Sequence, residues 1–141
     1  MIRTTSVAVA MLLSSGLTAP ASASEVSAPA HRSATGITGS WQGAVISQDG
    51  PAGYRGKVRI RRTDDGYAAR ARYTADQDVI AKTRWRYRGR AHGWFVFRER
   101  MVGASDGSAA TRVKVRRDGA RLIVRWRDPS GYTGHMRARR V

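Results

Sequence analysis

The chain has 141 residues, which suits a single domain, and 41% of them are hydrophobic, enough to build a core. Its 26 Lys and Arg against 10 Asp and Glu leave a formal charge of +16, a field that attracts polyanions without reading their identity. The absence of cysteine excludes disulfides, thiolate metal sites and a cysteine nucleophile, so a domain of this size must be held by its core alone.

Residues 1–23 have the order of a secretory signal peptide. Arg3 supplies the positive end, Val7 to Leu13 the apolar run, and Ala21-Ser22-Ala23 the small residues, with cleavage expected after Ala23. The apolar run is too short to span a bilayer, and Ser14, Ser15 and Gly16 interrupt it. No later stretch approaches spanning length. The mature protein is therefore expected to be soluble and extracellular, with no transmembrane segment. Residues 24–38 are rich in Ser, Ala, Thr, Pro and Gly, lack either periodicity and predict a flexible linker.

Residues 39–141 predict a basic β-barrel domain. Short runs alternate apolar and basic residues with the period of a strand. The first strand is expected at 40–48, followed by a turn at Asp49-Gly50-Pro51. The second, 54–62, sets Tyr54, Gly56, Val58 and Ile60 against Arg55, Lys57, Arg59 and Arg61. Asp64-Asp65-Gly66 is a hairpin signal. The third, 67–74, sets Tyr67, Ala69, Ala71 and Tyr73 against Arg70 and Arg72, and a loop is expected over 75–80. The fourth, 82–90, alternates Thr83, Trp85, Tyr87 and Gly89 with Arg84, Arg86, Arg88 and Arg90.

After a turn at Ala91-His92-Gly93, the fifth strand, 94–102, is the most apolar, and a polar loop follows at 103–109. The sixth, 111–117, sets Val113 and Val115 against Arg112, Lys114 and Arg116. Asp118-Gly119 leads into the seventh, 120–127, with Leu122, Val124 and Trp126 against Arg121, Arg125 and Arg127. The last, 132–141, sets Tyr132, Gly134 and Met136 against His135, Arg137 and Arg139. No segment carries a sustained helical period. Sequential strands on short turns predict an all-β, antiparallel up-and-down meander of about eight strands that closes into a small barrel to remove its edges. A two-sheet β-sandwich is the alternative.

Gly39-Ser40-Trp41 at the start of the first strand resembles the Gly-x-Trp signature of lipocalins and related calycins. In that family the Trp closes one end of the barrel against a basic residue of the last strand. The resemblance implies barrel-closing roles for Trp41 and for Arg137 or Arg139, with Arg140 a third possibility. The lipocalin C-terminal helix and paired cysteines have no counterpart, and the length is closer to avidin-like barrels, whose biotin-binding polar pattern is not recognisable. What the resemblance implies is a barrel that binds a small ligand or a protein rather than an enzyme.

Most acids lie in or beside turns, where Asp satisfies backbone donors. Glu99 is the exception. It shares a face with Phe95, Phe97 and Met101: either it points inward and needs a partner, a ligand in a cavity also lined by Tyr87 and Trp126 or an Arg, or the strand register turns it outward. His31, His92 and His135 show no metal-ligand spacing, and neither a nucleophile elbow nor a phosphate loop is present. No catalytic residue, metal or cofactor is expected. Trp94 has the parity opposite to Phe95 and Phe97 and reads as an exposed anchor.

The leading functional expectation is a secreted, non-enzymatic cationic binding protein. Its outer face, with Arg84, Arg86, Arg88, Arg90, Arg121, Arg125 and Arg127, would contact an anionic polymer or envelope surface, nucleic acid among them. The alternative is a calycin-like carrier or inhibitor.

Overall fold

The computed structural model describes residues 36–105 and 109–141. The signal peptide and most of the linker expected at 24–38 lie outside the described residues. Eight strands follow one another: β1 (Gly39–Ser47), β2 (Gly50–Thr63), β3 (Gly66–Ala75), β4 (Asp78–Ala91), β5 (Trp94–Met101), β6 (Thr111–Asp118), β7 (Arg121–Arg127) and β8 (Thr133–Arg140). Each pairs antiparallel with the next, and β8 returns to β1, so the sheet is a closed up-and-down barrel. Among the described residues there is no helix.

The alternation read in the sequence becomes inside and outside. Val58 and Ile60 on β2, Ala69 and Ala71 on β3, Val113 and Val115 on β6 and Met136 and Ala138 on β8 are buried in the barrel. The basic residues between them are mostly exposed. Three rings set the middle of the core: Trp85 lies 5.9 Å from Phe97, and Phe97 lies 5.5 Å from Tyr87. The core also takes in Ile37, which is fully buried ahead of β1 and accepts a 2.9 Å hydrogen bond from Trp41 Nε1. Ile37, within the linker expected over 24–38, is thus part of the packed core.

Two turns are tighter than the sequence suggests. β2 begins at Gly50, and Pro51 already pairs with Ile46. The loop expected over 75–80 is a two-residue turn, Asp76-Gln77, with both φ angles positive (45° and 76°). That geometry matches the twist of a hairpin, and Asp tolerates it without glycine.

β4 carries an irregularity that moves one of the expected wall residues. Tyr87 faces Phe97, but Gly89 faces Val96, so Arg88 is an extra residue in a β-bulge. The bulge reverses the parity beyond it. Arg90 therefore leaves the outer row with Arg84 and Arg86 and lies over the Phe95 ring, with its Cζ 4.4 Å from the centroid.

Closure depends on a close approach of β1 and β8. A Cβ added to Gly43 would stand 2.5 Å from the Arg137 carbonyl and 2.8 Å from Met136 Cγ. Gly43→Ala is expected to lower stability by roughly 1–3 kcal/mol through overpacking of this seam, read as a lower urea midpoint with an unchanged slope. An unchanged midpoint would show that the seam has room.

Candidate anion-binding wall and barrel mouth

Three regions of the barrel carry the residues singled out in the sequence. At the closed end, Trp41 is fully buried, with Arg117 Cζ 4.8 Å and Arg140 Cζ 5.3 Å from its ring. Guanidiniums over an indole face are held by its quadrupole. Gly39 makes the arrangement possible: its φ is +128°, and a Cβ there would meet the Arg140 guanidinium at 2.8 Å. Arg140 also donates to the Thr38 carbonyl at 2.7 Å. The barrel-closing assignments to Arg137 and Arg139 are corrected. Both have the outward parity of β8, and Arg137 pairs with Asp118 at 3.3 Å on the exposed surface.

At the opposite end lies Glu99. Its Oε1 accepts from Tyr73 Oη (2.7 Å), Thr83 Oγ1 (2.6 Å) and Trp85 Nε1 (2.8 Å). Glu99 therefore points inward, but its partners are three neutral donors rather than an Arg. Three charge-assisted hydrogen bonds on one oxygen compensate for its removal from water. Its Oε2 makes no hydrogen bond to a described residue, and no buried side-chain polar atom is left unsatisfied, so Oε2 faces water. Trp126 lies at this same end, its indole filling the space that Gly134 leaves open. Tyr87 does not join them. It packs one layer deeper, 5.4 Å from Tyr67, so the cavity grouping of Glu99, Tyr87 and Trp126 is not assembled. The space between the two ends is filled by side chains of the core.

The outer wall is the third region. Arg84, Arg86, Arg88, Arg121, Arg125 and Arg127 are exposed there. β4 and β7 are not adjacent, yet the register joins their rows through residues on β5 and β6. Arg86 faces Arg98, Arg98 faces Arg112, and Arg112 faces Arg127. A second ladder runs Arg59, Arg70, Arg84, Arg100. Directly opposed residues have Cβ atoms roughly 5 Å apart, so each ladder is a row of like charges around the barrel. In the strand register no acid stands between the arginines of either row. Arg98, Arg100 and Arg112 were absent from the expected binding set, although their outward parity was available in the sequence.

Among the described residues no group of three or more His, Cys, Asp or Glu stands together to hold a metal, and no helix is long and apolar enough to cross a membrane. No protein-family model matches the chain, and no curated protein matches its sequence. An eight-stranded closed antiparallel barrel is the general shape that calycins share.

Burial and the Glu99 charge push the Tyr73 phenol far above its ordinary value of 10. The folded protein keeps this proton where the unfolded chain loses it. The stability from Tyr73 is complete below about pH 10 and falls as pH rises further, by about 1.4 kcal/mol per pH unit. Tyr73→Phe should therefore lose stability at neutral pH but show a shallower alkaline decline, measured by urea unfolding between about pH 9 and 12. An alkaline slope equal to that of the parent would contradict the buried, protonated phenol.

Proposed function

We propose that the protein is an exported, non-enzymatic cationic binding module whose outer wall contacts an anionic polymer or an anionic envelope surface. The observation that carries this reading is the unbroken row Arg86–Arg98–Arg112–Arg127 across four neighbouring strands. Like charges directly opposite one another destabilise a sheet. A fold that stacks four of them gains when an anion lies along the row. The formal charge of +16 supplies the long-range attraction, and the rows supply the place of contact.

Export follows from the signal-like order of residues 1–23, and calycin kinship is supported by the Gly39–Trp41–Arg140 contact at the closed end. The carrier alternative draws less support, because side chains occupy the barrel from Trp41 to Trp85.

The test is a salt titration. A polyanion held by these guanidiniums releases counterions, and the logarithm of affinity falls linearly with the logarithm of salt. Replacing Arg98, Arg112 and Arg127 together with Gln is expected to reduce that slope by about 2 for a single-stranded DNA probe. A slope equal to that of the parent would remove the row from the contact surface.

A further inference from the structure

The wall is not uniform, and one sector of it is built. Elsewhere the guanidiniums that lie over rings do so on inward-facing side chains, those of Tyr67, Phe95 and Trp41. Trp94 alone among the described tryptophans is outward-facing, opposite in parity to Phe95 and Phe97, and it is half-buried. Two guanidiniums lie over its ring: Arg116 from β6, with Cζ 4.6 Å from the centroid, and Arg125 from β7, at 5.3 Å. The register places Lys114 directly opposite Arg125 and Arg116 directly opposite Ile123. Ile123 has outward parity yet is only 7% exposed, so side chains cover the wall there. The result is a trough over β6, β7 and β8 with Ile123 in it, lined by Arg112, Lys114, Arg116, Arg125 and Arg137 and by the acid Asp118.

We propose that this trough is a phosphate site, in which Trp94 aligns Arg116 and Arg125 on the phosphodiester backbone of a single-stranded nucleic acid. The inference rests on the reading of the wall as a polyanion-binding surface and names its specific part. A free surface Arg loses rotamer entropy when an anion fixes it. A guanidinium already held over an indole ring has lost much of that freedom, and its N–H donors remain available. Arg116, Arg125 and Lys114 make no hydrogen bond or ion pair with a described residue, so their donors are unspent. Asp118, the nearby acid, is engaged by Arg137.

The chemistry favours phosphate over carboxylate. A carboxylate offers two coplanar oxygens that one guanidinium fork satisfies. A tetrahedral phosphodiester directs its oxygens to different sides and can engage both stacked guanidiniums with the ammonium. Three neighbouring strands span roughly 10 Å, the width of one extended chain rather than of a broad sheet of polymer.

Trp94→Leu is the decisive variant because it leaves the charge of +16 untouched. Its affinity for an oligothymidylate of about ten nucleotides should fall about tenfold at about 150 mM salt, with the salt slope unchanged. Arg116→Lys, which keeps the charge but not the planar guanidinium, should fall in parallel. Binding of poly-glutamate should be the same for both variants and the parent. If both variants bind oligothymidylate like the parent while the Arg98/Arg112/Arg127 variant is weakened, the Trp94 site is wrong and the wall reading stands. An equal loss for poly-glutamate overturns the assignment to phosphate. A parent that binds none of the probes at this salt overturns the wall reading and the site with it.

Discussion

Closure of eight strands leaves an interior just wide enough for side chains, and the pleat sends every second residue into it. Trp41, Trp85, Phe97 and their neighbours take that space, and fully buried Val and Leu fill what remains. Little room is left inside for a cation, so an arginine-rich sequence that alternates with this period must present its charge on the outer wall. Antiparallel register then does the rest. It brings Arg98 opposite Arg86 on one side and Arg112 on the other, and the repulsion between them is a consequence of the fold itself. The wall is the part of the molecule with most to gain from an anionic partner.

The two ends of the barrel show what the same constraint does where it relaxes. Strand ends are the only inward positions wet enough for a guanidinium, and Arg90, Arg117 and Arg140 use them, each with its head over an aromatic ring. At the mouth the inward charge is an acid. With the arginines committed to the outside, Glu99 is satisfied by hydroxyl and indole donors from β3 and β4, which tie three strands together at one oxygen. The proton on Tyr73 belongs to this network, and its retention reflects both burial and the neighbouring carboxylate.

The period of two made the strands and the barrel legible, because it recurs in segment after segment with short turns between most of them. What it concealed were places where a single residue changes the count. Gly89 stands in a strand-like run, a common mark of a bulge, and the extra residue beside it moves Arg90 from the wall to the closed end. Arg117 and Arg140 sit at even intervals from Val115 and Ala138. Extending the alternation to the strand ends would have picked them over Arg137 and Arg139 as partners of Trp41. The turn at Asp76-Gln77 lacks glycine and so read as a loop. The ladder through Arg98 and Arg112 depends on register across strands, which the sequence of one strand does not carry. The contact of Trp94 with Arg116 and Arg125 is hidden for the same reason, since it spans β5, β6 and β7.

The central claim is that the outer wall, not the mouth, meets the partner. The direct measurement is amide chemical-shift mapping while a short single-stranded oligonucleotide is titrated at physiological salt. Saturable shifts at Trp94, Arg112, Arg116 and Arg125, with the amides around Tyr73, Thr83 and Glu99 unmoved, are the predicted result. Shifts concentrated around Glu99 and Trp126, with the wall silent, would contradict it and place recognition at the open end of the barrel.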